Sequence, residues 1–181
     1  MGDEEKPQQA KPKWEGNVSA WLKGPTEEEV WPLLEDFFNF HKIFPSLATC
    51  YGVGGVSGRP GCIRYCAGSS IPSTADNSND GDHRPVIVSW SKERLVAIDP
   101  SQQIMSYEIV DSNIGFNSYV STIRVLPGNE EYGSAKIEWS FAVDPVEGWK
   151  LEDLISKYEL GLQRMAKRIE ETLAQSPHQF E

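Results

Sequence analysis

The chain has 181 residues, and its 27 acidic side chains against 17 basic ones leave a formal charge of −10 at pH 7. That length suits one domain with a sizeable core. Because so negative a chain is repelled by the phosphates of nucleic acids and by anionic membrane surfaces, we expect neither as a partner.

The two ends of the chain differ in composition from its middle. Residues 1–12 are rich in Gln, Lys, Glu and Pro, and such a segment buries too little apolar surface to order itself, so a flexible tail is predicted. Residues 13–174 are predicted to form the folded domain, and 175–181 a second tail. The chain has no apolar run near the ~20 residues that cross a membrane and no signal-peptide pattern at its start. We therefore expect no membrane insertion and a cytoplasmic location, with the nucleus as the alternative.

The first elements are one strand and one helical segment. Alternating apolar residues predict a strand over Trp14–Leu22. Thr26 and Glu29 have the spacing of a capping box, which predicts the start of a helix. Helical spacing of apolar residues extends this helix to a point between Phe40 and Pro45, where a second short helical turn is expected before the proline forces extension.

The middle of the chain has the period of two that is typical of strands. Clusters of Gly, Pro, Asn and Asp separate six such runs, which favours antiparallel strands joined by short turns. The polar segment 68–85 is too long for a plain hairpin and is expected to be mobile. The six predicted strands are 49–56, 62–67, 86–98, 104–111, 116–126 and 135–143.

After Gly148 the apolar pattern returns to the helical period, which predicts a helix over 149–174 with a length of about 39 Å. Its basic residues around Arg164 are interpreted as a solvated face. The order strand, helix, six strands, long helix predicts an α+β fold in which both helices pack on one face of a seven-stranded antiparallel sheet. A long helix over a curved sheet leaves an elongated cavity for a small molecule, unless aromatic side chains fill the space completely.

The three cysteines, Cys50, Cys62 and Cys66, are odd in number, which argues against a disulfide framework. Cys62 and Cys66 lie in one predicted strand about 13 Å apart, beyond the ~7 Å that a disulfide spans between Cα atoms. We interpret all three as small buried apolar residues rather than reactive thiols. Since the chain also lacks zinc-ligand spacing and nucleotide-binding motifs, no metal and no cofactor are expected.

Strand alternation places one basic and one acidic side chain on an inward face. Cys62, Arg64 and Cys66 share a face, and a buried Arg64 needs a carboxylate or an anionic ligand oxygen. Glu93 shares parity with Leu95 and Ala97 and is the candidate partner. The alternative is an inter-strand salt bridge at the sheet surface, worth ~0–1 kcal/mol.

A phenol joins these two groups in the predicted site. Tyr119 shares parity with Ile123 and Val125, so a guanidinium, a carboxylate and a phenol are expected to meet inside the fold. The alternative makes Tyr119 an ordinary strand aromatic. Inward residues of the last strand are Ile137, Trp139 and Phe141.

Several short stretches support comparison with known families: His41-Lys42 through Pro45-Ser46-Leu47, Gly61-Cys62 through Arg64-Tyr65, Lys92-Glu93, Met105-Ser106-Tyr107 and Trp139-Ser140-Phe141. Together with the element order, they resemble the plant START-like, helix-grip superfamily of polyketide cyclase-like, lipid-transport and pollen-allergen-type proteins. In detail the chain resembles the lachrymatory factor synthases from about Lys13 to Leu173. The resemblance implies a curved antiparallel seven-stranded sheet wrapped around the long C-terminal helix, with short helices between the first two strands.

The resemblance also implies an activity. Lachrymatory factor synthases convert an alkenyl sulfenic acid into a thial S-oxide without a cofactor. By likeness, Arg64 holds the sulfenate oxygen, Glu93 shuttles the proton and Tyr119 orients the substrate. The alternative is a non-catalytic carrier or sensor of a small lipid, a hormone-like compound or a secondary metabolite. The ligand contacts expected from the resemblance and the inward faces are Phe44, Leu47, Tyr107, Trp139, Phe141, Tyr158 and Leu162.

Overall fold

The computed structural model describes residues 12–68 and 88–175. Apart from their boundary residues, the two predicted tails and the predicted mobile connection 68–85 lie outside the described residues. No helix within the described ranges is long and apolar enough to cross a membrane.

Within those residues, seven strands and two α-helices follow the predicted order, with a short 3₁₀ helix, Phe37–Lys42, after the first α-helix. All strands pair antiparallel in one curved sheet, which confirms the predicted α+β class. The elements are β1 Trp14–Leu22, α1 Glu27–Glu35, β2 Leu47–Gly54, β3 Ile63–Gly68, β4 Ser89–Asp99, β5 Ile104–Ser112, β6 Val120–Asn129, β7 Gly133–Val143 and α2 Leu151–Ala174. Their order across the sheet is β1-β7-β6-β5-β4-β3-β2, so β1 and β2 are the two edges.

The first helix begins as predicted and ends earlier. The Thr26 backbone N–H donates to Glu29 Oε2 at 2.9 Å, which is half of the capping box. The prediction that α1 continues to between Phe40 and Pro45 is wrong, because Asp36 leaves the helical region with ψ of 69°. After this break, Phe37 is fully buried, and its ring centroid lies 6.3 Å from that of Tyr107 on β5.

The observed strands differ from the prediction at Ala97 and at the start of β6. Ala97 is exposed instead of inward, because a bulge between Leu95 and Ala97 shifts the register against β5. β6 begins at Val120 rather than at 116, since Ser118 has a φ of 53° that no extended strand accommodates. Glu93 and Leu95 still face inward, although the register against β5 also shifts between Lys92 and Glu93.

The long helix α2 lies against the inner face of the sheet. Its 24 residues measure about 36 Å, which spans most of the domain. The side chain of Leu162 is fully buried, whereas the neighbouring Tyr158 is only partly buried and contacts the strands through its ring. The buried side of α2 consists of Leu154, Gly161, Leu162, Met165, Ala166 and Ile169.

Candidate functional site

A cavity of about 260 Å³ lies between the inner face of the sheet and α2. The interior is therefore not completely filled, and the space suits a small molecule, since pockets for drug-sized ligands begin near ~300 Å³. Aromatic rings form much of its wall. Phe44 stacks on Phe40 with ring centroids 5.2 Å apart and meets Trp139 edge-on at 5.6 Å.

Five of the seven predicted ligand contacts line this cavity: Phe44, Leu47, Tyr107, Trp139 and Tyr158. The other two do not. Phe141 lies behind Tyr158, with ring centroids 4.5 Å apart, and its ring fills the space above Gly16 of β1. Leu162 faces the core on the buried side of α2. Strand alternation turned Trp139 and Phe141 inward, as the structure has them, but it does not say how far along the inner face the cavity extends.

Arg64 and Glu93 are direct partners across the β3–β4 ladder. Both Arg64 Nη2, at 2.6 Å, and Nε, at 2.8 Å, bind the same carboxylate oxygen, Glu93 Oε2. Ser91 Oγ donates to the other oxygen, Oε1, at 3.1 Å. Since Arg64 is only 1% exposed, the alternative of a salt bridge at the sheet surface is wrong. Hydrogen bonds on both oxygens fix the orientation of the carboxylate.

The guanidinium of Arg64 lies behind the wall of the cavity rather than in it. Its carbon lies 3.9 Å from the ring centre of Phe37, 4.5 Å from that of Phe40 and 4.9 Å from that of Tyr107. Nη1 donates to the Phe37 carbonyl oxygen at 3.0 Å, which ties the 3₁₀ helix to β3. Glu93 lines the cavity and Arg64 does not. Although burial opposes the charge of Arg64, the ion pair with Glu93 raises the pKa of Arg64 above its usual value.

Tyr119 lines the same cavity as Glu93 but has a different partner. Its hydroxyl group is hydrogen-bonded to that of Tyr158 on α2, and among the described residues it has no hydrogen bond to Arg64 or Glu93. Tyr107 lies between them, with its ring centroid 6.4 Å from that of Tyr119. Burial, together with the charges of neighbouring groups, raises the pKa of Tyr107, Tyr119 and Tyr158 well above the usual tyrosine value.

Sequence reasoning missed two basic residues at the helix side of the cavity. Lys157 and Arg164, which we call the rim cations, both line the cavity and are otherwise exposed. They are seven residues apart, which places them two turns apart on one helix face. Lys157 also lies 5.3 Å from the Trp149 ring centre, and partial burial lowers its pKa. The interpretation of Arg164 as part of a solvated face overlooked this contact.

Two further residues of the cavity wall, Ser91 and Cys66, were not predicted as ligand contacts. Ser91 lies two residues before Glu93 on the same strand face, so its position was accessible from alternation. Cys66 also lines the cavity, and its Sγ is 3.5 Å from that of Cys50. The spacing of these two cysteines in the sequence does not predict their contact, because β2 and β3 pair across a long turn.

Comparison with solved structures shows the fold in proteins from three organisms. The protein XoxI from Bacillus cereus matches with a TM-score of 0.63 and 20% identity, covering 89% of this chain and 96% of its own. A protein from Thermobifida fusca matches with a TM-score of 0.64 and 20% identity over 87% of this chain and 93% of its own. Ginseng major latex-like protein 151 from Panax ginseng matches with a TM-score of 0.57 and 19% identity, covering 88% and 97%.

The sequence itself matches a family model. The match covers residues 25–170, which include α1, six of the seven strands and most of α2. The family is described as polyketide cyclase / dehydrase and lipid transport. The chain therefore belongs to the polyketide cyclase/dehydrase and lipid transport family.

Proposed function

We propose that this protein binds a small hydrophobic or amphipathic molecule in the cavity between the sheet and α2. The observation that carries the proposal is the cavity of about 260 Å³ with aromatic walls and few polar groups, which is the usual composition of a small-molecule site. Membership of a family described by lipid transport supports the same ligand class.

The polar groups in the wall indicate how such a ligand is oriented. Glu93 and Ser91 lie on the strand side, where a ligand hydroxyl or other donor finds an acceptor. The rim cations, Lys157 and Arg164, lie on the helix side and favour a carboxylate or another anionic end. The aromatic rings of the wall, between the strand side and the helix side, would contact the apolar part of the ligand. The chemistry of the site thus favours an amphipathic ligand.

Isothermal titration calorimetry with octanoate and octanol tests this proposal. Ile109 lines the cavity, whereas the next residue, Val110, is 40% exposed on the other face of β5. We expect Ile109→Trp to fill part of the cavity and weaken binding at least tenfold, and Val110→Trp to bind like the wild type. Wild-type protein that binds neither probe, or two variants that bind equally well, would contradict binding in this cavity. Circular dichroism checks that both variants fold.

A second candidate function is a proton-transfer rearrangement, and a specific observation favours it. Glu93 is a carboxylate on the cavity wall whose two oxygens are held by Arg64 and Ser91, as a positioned general base requires. The resemblance to lachrymatory factor synthases implies the substrate, an alkenyl sulfenic acid. The reaction is an isomerisation, so the proton that Glu93 takes from the S–OH group is balanced by one delivered to the alkene carbon.

In this candidate function the role of Arg64 differs from the one the resemblance implies. Because its guanidinium is covered by Phe37, Phe40 and Tyr107, it acts as a positioning residue for Glu93 rather than as the group that holds the sulfenate oxygen. Tyr119 is paired with Tyr158 in the same wall and orients the ligand through that pair.

Freshly generated alkenyl sulfenic acid, with detection of the thial S-oxide, tests the rearrangement. We expect product from the wild type and a loss of at least a hundredfold in rate with Glu93→Gln. Ser91→Ala keeps the ion pair and serves as a milder variant, with a smaller loss, should Glu93→Gln not fold. Wild-type protein that gives no more product than buffer would contradict the rearrangement of this substrate.

A further inference from the structure

Cys50 and Cys66 face each other across the β2–β3 ladder. They are register partners, their Sγ atoms are 3.5 Å apart, and their exposed fractions are 6% and 2%. Cys66 lines the cavity. Two thiols in contact, one of them reachable by a cavity ligand, form a more specific arrangement than the isolated apolar cysteines that the sequence indicated.

The backbone at this pair is compatible with a disulfide. Partners in an antiparallel ladder have Cα atoms about 4.5–5.5 Å apart, inside the ~4.4–6.8 Å range of disulfides. The sulfur atoms must approach by about 1.5 Å to reach bonding distance. β2 is an edge strand, with register shifts on both sides of Cys50, so it can move without breaking a second ladder.

The surroundings of the pair favour a thiolate. The hydrogen bond from Cys66 and the charge of Arg64 lower the pKa of Cys50 to about 6, although burial opposes this. The same hydrogen bond and burial raise the pKa of Cys66, since two neighbouring thiols cannot both ionise readily. The pair therefore shares one proton along the S–H···S contact, and the sulfur that a ligand can reach is that of Cys66.

We propose that Cys50 and Cys66 form a redox-active dithiol in the cavity wall, which a small apolar hydroperoxide bound in the cavity oxidises to a disulfide. This inference rests on the proposed function only in that the cavity must admit the hydroperoxide. Dithiol oxidation is part of neither the family description nor the proton transfer proposed for Glu93.

The chemistry takes two steps. The Cys50 thiolate takes the proton of Cys66 as the Cys66 sulfur attacks the terminal oxygen of the hydroperoxide. An S–O bond forms, the O–O bond breaks, and the alkoxide takes a proton from solvent to leave as an alcohol. Cys50 then attacks the Cys66 sulfur, and the hydroxide leaves with the remaining thiol proton as water. The two sulfur atoms lose two electrons, and the O–O bond accepts them. A thiol in solution reverses the oxidation by disulfide exchange.

Thiol counting tests the dithiol. The full chain has three cysteines, and after hydrogen peroxide treatment and denaturation we expect one reactive thiol in the wild type and none in Cys62→Ser. Intact mass should fall by two hydrogen atoms in both proteins. Cys50→Ser and Cys66→Ser are the matched variants and should form no internal disulfide. Wild-type protein that keeps three thiols, or a disulfide that includes Cys62, would overturn the inference.

A second arm tests the substrate class. Cumene hydroperoxide at the same concentration should oxidise the wild-type pair at least tenfold faster than hydrogen peroxide, and Ile109→Trp should abolish that advantage. Oxidation by hydrogen peroxide without faster reaction of cumene hydroperoxide would overturn the apolar hydroperoxide as substrate. Failure of octanoate and octanol to bind, with the disulfide still formed by hydrogen peroxide, would instead contradict the proposed ligand function.

Discussion

Arg64 holds Glu93 from behind the cavity wall, with two of its nitrogen atoms bound to the single oxygen Glu93 Oε2. The second oxygen of Glu93 is bound by Ser91 at 3.1 Å. The carboxylate therefore forms part of the cavity surface while its countercharge stays in the core. This arrangement positions an acidic group for a ligand without offering the ligand a cation at the same point.

Breaking this ion pair should strongly destabilise the fold. Arg64→Met leaves the carboxylate of Glu93 without its countercharge in a largely buried position, with the Ser91 hydroxyl still bound to it. We expect the free energy of unfolding to fall by about 3–5 kcal/mol in urea denaturation. The double variant Arg64→Met, Glu93→Leu should recover much of this loss, because no unpaired charge remains. A loss below about 1 kcal/mol in the single variant would mean that the pair behaves like an exposed salt bridge.

The rim cations should set the preference for anionic ligands. Arg164→Ala and Lys157→Ala are expected to weaken octanoate binding by up to about fivefold each, as partly exposed charges contribute ~1 kcal/mol or less. Octanol binding should not change. Lys167→Ala is the matched control, because Lys167 is exposed on α2 away from the cavity lining. Equal losses for octanoate and octanol would show that these side chains act through packing instead of charge.

Much of this site was accessible from the sequence, since strand alternation is a rigid geometric rule. It placed Arg64 beside Glu93 and turned Tyr119 and Trp139 inward, as the structure has them. It failed at Ala97, where a bulge adds a residue to the strand. Bulges depend on how two strands pair, which the pattern of one strand does not encode.

The sequence pattern also could not predict how far each inward side chain lies from the cavity surface. Parity treats all inward residues alike, so it could not separate Glu93, on the cavity surface, from Arg64 behind it or Phe141 beneath Tyr158. The break of α1 at Asp36 is followed directly by Phe37, whose ring packs on the distant Arg64. Contacts between distant segments decide these features, and local periodicity contains no information on them.

Three tyrosines of the cavity wall should make the protein sensitive to alkali. Tyr107, Tyr119 and Tyr158 have raised pKa values, mainly because burial disfavours the phenolate. In the unfolded chain tyrosines ionise near pH ~10, so stability is retained below that pH and falls above it, by up to ~1.4 kcal/mol per pH unit for each group. Urea denaturation at pH 8 and pH 10.5 measures the fall. Tyr158→Phe should show a smaller fall, and an equal fall would contradict this cause.

The rate of oxidation of the dithiol should rise at a lower pH than the rate for an ordinary thiol. The pKa of Cys50 is lowered to about 6 by the hydrogen bond with Cys66 and the charge of Arg64, against the opposing effects of burial and of Glu93. The rate of disulfide formation by hydrogen peroxide in Cys62→Ser should therefore rise through pH 6 and level off before pH 8. A rate that keeps rising to pH ~8.5, as for an ordinary thiol, would contradict the shared proton.

The most direct measurement of the ligand site is a ¹H–¹⁵N NMR titration of the wild-type protein with octanoate. We expect the shift changes to concentrate on the cavity lining, including the Trp139 indole N–H and the backbone amides of Ser91 and Gly161. Signals of Val96 and Val110 on the outer face of the sheet should not move. Shift changes confined to the outer face, or none at saturating octanoate, would contradict a ligand-binding cavity between the sheet and α2.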